Sequence, residues 1–197
     1  IDDNFDSENI SIYFDGYELV KTERDVEGVL IPTGVKIEIP AGTDVTIFQS
    51  LGDSYTVNIN GNLVRVSGKD GDALDKPVIE EQVLEVSPDI PEGQVDEALI
   101  MQQLRTCYDP EIPVNIVDLG LIYSCDIVPI EAGKNDLELK MTLTAAGCGM
   151  GDIIVGEAQE KLLKIPNVNN VNIELVFDPP WDRDMMSEEA KLTLGMF

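Results

Sequence analysis

The chain has 197 residues, of which 38 are acidic and only 13 are basic, and its formal net charge is -25 at pH 7. A charge of this sign and size repels nucleic acid and anionic membranes, so neither is expected as a partner. The chain contains no histidine. This absence excludes Ser-His-Asp and Cys-His catalysis and imidazole ligation of zinc, which leaves thiol, carboxylate and backbone groups for any chemistry.

The three cysteines, at positions 107, 125 and 148, form no Cys-x-x-Cys pair. Neither a zinc ribbon nor a thioredoxin-type dithiol is therefore expected, and the odd number argues against a disulfide framework. The sequence shows no secretory signal peptide and no apolar run of about 18 residues. These features predict a cytoplasmic protein.

Residues 1–70 are predicted to form a small all-β domain, either a barrel or a sandwich. The dipeptide Asn60-Gly61 is typical of tight β-hairpins, and it lies between two stretches with strand patterns. Stretches of this kind, separated by turn signals, occur at 35–39, 45–48, 55–59 and 63–66.

Residues 71–93 are predicted to form an acidic linker. Between Asp70 and Gly93 the chain carries eight acidic residues, the single basic residue Lys76 and three prolines. Such a composition suits a solvated connector better than a hydrophobic core.

Residues 94–197 are predicted to form an α/β domain. Cys125 is expected in its core, and Cys107, at a helix end, is expected to be slightly more open. The apolar spacing predicts a helix ending near Cys107, strands at 121–128 and 137–144, a helix at 152–164, a strand at 171–177 and a short last helix capped by Ser187.

Cys148 is the strongest candidate for a functional residue. It lies in Thr142-Leu-Thr-Ala-Ala-Gly-Cys-Gly-Met-Gly151, here called the cysteine segment, where a predicted strand gives way to a predicted helix. Unpaired N–H groups and the positive end of the helix dipole favour a thiolate there, and the flanking Gly147, Gly149 and Gly151 let the backbone approach a ligand. The alternative is a buried, inert cysteine.

A second candidate segment is the proline loop, residues 109–120. It contains two prolines, three carboxylates and a glycine. The prolines make it stiff enough to hold Asp118 at a fixed point. The alternative is an ordinary acidic surface loop.

A third candidate is the tryptophan segment, residues 178–187, which follows the last predicted strand. Its two prolines end strand pairing and hold Trp181 in an extended stretch. Met185 and Met186 offer a soft, adaptable surface for a partner. The alternative is that all three side chains pack against the core.

With the proline loop extended to residue 123 and the tryptophan segment to residue 191, the three segments together resemble the motifs of the metal-sulfur cluster biosynthesis family. That family includes PaaD-like proteins and eukaryotic cytosolic Fe–S targeting factors. The resemblance covers residues 94–197. The N-terminal part, through residues 40–47 and 62–66, resembles the extra domain of the SufT branch. The implied fold is α+β, with an α-β-β-α-β Fe–S cluster assembly-like domain after the small all-β domain. Many relatives have proline in place of Ala146.

The resemblance implies an accessory factor in Fe–S cluster maturation, and not an enzyme. Cys148 is then a ligand of iron or of a cluster edge, oriented by Asp118 and Thr144, while the backbone of Gly149 to Gly151 stabilises the sulfur. Because a cluster usually needs four protein ligands, binding is expected to be transient. The remaining ligands come from a second subunit, in a homodimer, or from a client.

The expected partners are the Fe–S assembly machinery and client apoproteins. Two other functions remain open. In the first, the protein is an adaptor and Cys148 is inert. In the second, it is a thiol redox protein, and Cys107 or Cys125 lies within disulfide reach of Cys148.

Overall fold

The structure, a computed structural model, describes residues 12–14, 17–80, 83–109, 112–145 and 150–196. Among the predicted site residues, Gly147, Cys148 and Gly149 lie outside the described residues, together with Ala146. The chain divides into two compact units, residues 1–80 and 81–197. Of the helices described, none is both long and apolar enough to span a membrane.

The first unit is an antiparallel sheet, which confirms the predicted small all-β domain. In its described part, seven strands pair in the order β1-β2-β5-β6-β7-β3-β4. The strands are β1 (Ile12–Phe14), β2 (Tyr17–Lys21), β3 (Val26–Ile31), β4 (Lys36–Ile39), β5 (Asp44–Leu51), β6 (Ser54–Ile59) and β7 (Asn62–Ser67).

The hairpin between β6 and β7 forms at the dipeptide that the sequence indicates. Asn60 and Gly61 have φ angles of 52° and 88°, and Ile59 pairs with Asn62. Positive φ at both central positions is what a two-residue turn of this hand requires, and Asn and Gly tolerate it best. The register that follows places the fully buried valines of the two strands in one core, namely Val57, Val64 and Val66.

The predicted linker is too long at both ends. Ala73 and Leu74 are fully buried in the core of the first unit, and the Tyr55 hydroxyl donates to the Pro77 carbonyl over 2.7 Å. The acidic composition misleads here because the carboxylates of this stretch lie at the surface, where Asp72 pairs with Arg24 at 2.7 Å. That pairing lowers the pKa of Asp72.

The C-terminal end of the predicted linker belongs to the second unit. The Ser87 N–H donates to Asp96 Oδ2 over 3.1 Å, and Asn135 Nδ2 donates to the Gly93 carbonyl over 2.9 Å. Only the stretch around Val83, whose side chain is 82% exposed, fits the prediction of a solvated connector.

The second unit has the predicted α-β-β-α-β order, which confirms the α+β fold class. β9 lies at the centre of its sheet, antiparallel to β8 and parallel to β10. The described elements are α1 (Glu97–Leu104), β8 (Ile122–Pro129), β9 (Asn135–Met141), α2 (Gly151–Leu163), β10 (Val168–Leu175) and α3 (Glu188–Thr193).

The core of the second unit follows from the alternation along β9. Leu137, Leu139 and Met141 are buried to 1% exposure or less, while the residues between them are more open. Lys161 of α2 is also buried, at 7% exposure. A buried cation is stable only when paired, and its Nζ contacts Glu157 at 3.0 Å and the Thr106 carbonyl at 2.9 Å. This amine ties α2 to the end of α1.

We expect a Glu-specific endoproteinase to cut the native protein first after Glu80 or Glu85, because the division between the two compact units falls between these residues and the nearby Val83 side chain is 82% exposed. Mass spectrometry of the earliest fragments measures the site. First cleavage after Glu97 or Glu138, which are surface glutamates within a helix and a strand, would contradict the assignment of two separately folded units.

Candidate functional site

The proline loop is fastened by backbone hydrogen bonds. The Ile116 N–H donates to the Cys107 carbonyl over 2.9 Å, and the Leu121 N–H donates to the Ile116 carbonyl over 3.0 Å. The loop therefore folds back onto the end of α1 before β8 begins.

Asn115 organises the part of the loop that contains Asp118. Its Oδ1 accepts the N–H groups of Val117 and Asp118, at 3.0 and 2.9 Å. Its Nδ2 donates to Asp118 Oδ2 over 2.6 Å. One asparagine thus holds both the backbone and the carboxylate of Asp118, and a charge-assisted bond of this length restricts the carboxylate to one orientation.

The tryptophan segment docks on two successive carbonyls of the proline loop. Trp181 Nε1 donates to the Leu119 carbonyl, and the Ser187 N–H donates to the Asp118 carbonyl, each over 2.8 Å. Since the indole has only this one donor, the bond fixes the ring of Trp181 against the loop.

Gly120 permits the close approach of these two segments. Its φ is +75°, and a Cβ built on it would overlap the backbone oxygen of Met185. Only glycine satisfies both conditions. Beside it, the Tyr123 hydroxyl donates to the Pro179 carbonyl over 2.8 Å and lies 3.6 Å from Met185 Sδ.

The cysteine segment leaves the sheet earlier than predicted, because β9 ends at Met141 and not at 144. Further along, Leu143 packs against the start of α2, where a Cβ on Gly151 would lie 2.7 Å from Leu143 Cδ1. Gly151 therefore allows the two ends of the segment to meet. Met150 precedes α2 and makes no side-chain capping bond. The Met150 side chain therefore does not occupy the first N–H groups of the helix.

The three segments meet at an apolar groove with a cavity volume of about 460 Å³. Leu194 and Met196, which follow α3, complete its wall. Nine of the described residues line it, and Arg183 is the charged one among them. The lining residues are Ile112, Pro113, Leu119, Thr144, Trp181, Arg183, Met186, Leu194 and Met196.

The groove brings together some of the predicted site residues and not others. Thr144, Trp181 and Met186 line it, whereas Asp118, Gly151 and Met185 do not. Trp181 is half-buried and Met186 is only 5% exposed, so both pack against the unit as well as facing the groove. The sequence pattern missed the contributions of Leu194 and Met196, because nothing in the local sequence connects the C-terminal helix with the proline loop.

Thr142 is a further residue that the sequence did not single out. Its side chain is fully buried, and Oγ1 has no hydrogen-bond partner among the described residues. A buried hydroxyl without a partner costs about 1–3 kcal/mol.

The two described cysteines differ from their predicted environments. Cys107 is fully buried, with Sγ 3.7 Å from the Gln103 carbonyl, whereas Cys125 is only half-buried. Burial, followed by the negative charges of Asp126 and Glu97, raises the pKa of Cys125 to about 11. The expected order of exposure was therefore wrong, since β8 is a sheet edge and leaves Cys125 partly uncovered. In the described ranges, no group of three or more Asp, Glu or Cys side chains is placed to hold a metal ion.

Comparison with known proteins identifies the class to which this groove and fold belong. A family model described as "Iron-sulfur cluster assembly protein" matches residues 97–175. A Fe-S protein maturation auxiliary factor of Porphyromonas gingivalis is 47% identical over 96 residues, which are 49% of this chain and 88% of that protein. The chain therefore belongs to the iron-sulfur cluster assembly family.

Two further relatives place it among the SufT-like members. The Fe-S protein maturation auxiliary factor YitW of Bacillus subtilis is 42% identical over 105 residues, which are 52% of this chain and 99% of that protein. The corresponding factor SufT of Staphylococcus aureus is 38% identical over 88 residues, 45% of this chain and 96% of that protein. About half of this chain thus matches nearly the whole of each relative. None of the three relatives is therefore long enough to contain a second domain as well.

Near neutral pH we expect alkylation to label Cys148 first. A rise in pKa from 9.0 to about 11 lowers the reactive thiolate fraction of Cys125 about 100-fold, and burial protects Cys107. As the pH rises towards 11, labelling of Cys125 should accelerate about tenfold per unit. Differential alkylation read by mass spectrometry tests this order, and Cys125 or Cys107 reacting as fast as Cys148 would refute it.

Thr142→Val should raise the free energy of unfolding by about 1 kcal/mol, because it removes an unpartnered buried hydroxyl. Thr22→Val is the matched control. Thr22 is equally buried, but its Oγ1 donates to the Pro40 carbonyl over 2.6 Å, so its loss should lower stability by about 1–3 kcal/mol. Thermal or denaturant unfolding of both variants measures the difference. A loss of stability in Thr142→Val would mean that its hydroxyl is bonded.

Proposed function

We propose that this protein is an accessory factor in Fe–S protein maturation that carries or targets Fe–S clusters to apoproteins through Cys148. The supporting observation is the convergence of the three segments on one groove, in a chain that belongs to the Fe–S assembly family. The cysteine segment enters the wall of that groove at Thr144, four residues before Cys148.

The position of Cys148 in the sequence favours a thiolate. It precedes Gly151, the first residue of α2, by three positions, and the N-terminus of a helix stabilises negative charge. The net charge of -25 opposes ionisation, but exposed charges are screened beyond about 8 Å at physiological salt. The effect of the helix acts within one turn and therefore dominates.

The environments of the other two thiols support a carrier in preference to a storage protein. A cluster needs about four ligands, and a ligating cysteine must be deprotonated. Cys107 is fully buried and Cys125 keeps its proton to about pH 11. We infer that Cys148 holds one corner of the cargo, and that a client or a second subunit supplies the rest.

Asp118 and Thr144 are proposed to orient the thiolate. Asp118 suits this task because Asn115 fixes its carboxylate, and residues that hold a ligand in place affect metal affinity without binding the metal themselves. The backbone N–H groups of Gly149 to Gly151 are proposed to stabilise the sulfur.

The groove also suits a second candidate, an adaptor that binds clients while Cys148 plays no part. A thiol redox role has less support. The only other thiols in the sequence are Cys107, which is fully buried, and Cys125, whose pKa burial raises to about 11. We further propose that the protein is not an enzyme and that it acts in the cytoplasm, in accordance with an odd number of cysteines and no Cys-x-x-Cys pair in its sequence.

Cys148→Ser should reduce the activity of an Fe–S client enzyme in cells at least about tenfold, because a neutral hydroxyl is a hard ligand and cluster iron prefers thiolate. The swap changes volume little, so stability should stay within about 1 kcal/mol of the parent. Cys125→Ser is the matched control and should leave client activity unchanged. Asp118→Asn should give a milder loss, since only the orientation and charge around the sulfur change.

Client activity is measured with protein abundance and melting temperature in parallel. Anaerobic reconstitution with iron and sulfide, followed by transfer to an apo-acceptor, tests the same variants in vitro. Full client activity of Cys148→Ser would leave the adaptor function standing and eliminate the ligand role.

A further inference from the structure

We propose that the groove binds a client polypeptide through one large apolar side chain, and that a carboxylate next to this side chain pairs with Arg183. The inference rests on the proposed function, because it specifies how a client is recognised beside the cysteine segment. It concerns recognition alone and involves no residue that is proposed to bind the cluster.

The walls of the groove suit an apolar side chain from a polypeptide. Leu119, Met186 and Leu194 contribute aliphatic or thioether surface, and Trp181 contributes an aromatic face whose N–H is already bonded to the Leu119 carbonyl. Methionine adapts its shape to different partners. A cavity of about 460 Å³ falls within the range of about 300–1,000 Å³ seen for binding pockets.

Arg183 gives the groove its preference for an acidic neighbour. Its side chain is exposed, and within the described part of the chain it makes no ion pair with Asp182, Asp184 or any other carboxylate. Asp182 instead accepts the N–H of Asp184 over 2.8 Å. A free guanidinium binds carboxylates with two parallel hydrogen bonds, so a client carboxylate would complete an interaction that this protein leaves open.

The charge of the protein makes this preference selective. With a net charge of -25, most of the surface repels acidic segments at long range. An acidic client residue is therefore favoured only where Arg183 compensates, and only when the adjacent apolar side chain brings it within contact distance of the groove.

The groove lies close enough to Cys148 for delivery. Thr144 lines it, and four residues of chain span at most about 14 Å. A polypeptide held in the groove is thus within that distance, plus the length of its own side chain, of the thiol proposed to hold the cargo.

The experiment uses Trp181, the single tryptophan of the chain, as the reporter. Short acetylated and amidated peptides in a Gly-Ser host carry Leu-Asp, Leu-Asn or Ser-Asp at the centre. Titration of the full chain with the Leu-Asp peptide should change Trp181 fluorescence with saturation. We expect the Leu-Asn peptide to bind about 1.5- to 5-fold more weakly, the range for an exposed ion pair, and the Ser-Asp peptide to show no saturation.

Two matched pairs of variants locate the binding. Arg183→Gln should remove the advantage of Leu-Asp over Leu-Asn, whereas Arg105→Gln, at an exposed arginine that ends α1 and does not line the groove, should keep it. Leu194→Asp should abolish binding, whereas Leu192→Asp, two residues earlier and 62% exposed, should not. Melting temperatures confirm that the variants are folded.

Cys148→Ser separates this inference from the proposed function. It should bind the Leu-Asp peptide as the parent does while failing to support client activity. If no peptide saturates the Trp181 signal, the recognition proposal is wrong even where Cys148→Ser loses client activity. Equal binding of Leu-Asp and Ser-Asp would mean a purely electrostatic contact and would overturn it. A Trp181 signal that changes with protein concentration alone would mean that a second copy fills the groove, which also overturns it.

Discussion

Two hydrogen bonds between backbone carbonyls and the tryptophan segment are the interaction on which the candidate site depends. The carbonyls of Asp118 and Leu119 accept the Ser187 N–H and the Trp181 indole N–H, and Gly120 lets the two chains come close enough for both bonds to form. Without these two bonds, nothing would hold the proline loop and the residues after α3 together as walls of one groove. The groove therefore depends on one backbone donor and one indole donor, and surface substitutions that leave both bonds intact should change its shape little.

The proposed function divides into two tasks. The apolar groove with Arg183 is proposed to recognise a polypeptide, while Cys148 is proposed to hold a soft metal. Asn115 serves the second task in this proposal, since it fixes the carboxylate of Asp118, which is proposed to orient the thiolate. Arg183 and Leu194 of the groove are distinct from Cys148, so a substitution that changes recognition need not change the proposed ligand.

The sequence predicted the order of elements in the second unit because each helix and strand there has a clear apolar period. The sequence did not predict β1, β2 or β3. For β3 the reason is Gly28, which occupies a core position against Val64. A glycine there removes the apolar side chain that would show the alternation of the strand. Composition misplaced the linker, since burial of Leu74 is decided by tertiary packing and not by nearby carboxylates. The three motifs indicated the candidate site, but the contribution of Leu194 depends on long-range docking, which local patterns cannot encode.

The environment of Cys125 has a consequence for metal selectivity under stress. A thiol must lose its proton before it can coordinate a metal or attack a peroxide. With its pKa raised to about 11, this side chain pays an added deprotonation cost of about 2.7 kcal/mol, which discourages adventitious zinc, copper and oxidants from attaching to β8. The edge strand β8 is thereby a poor place for stray metal or oxidant to attach.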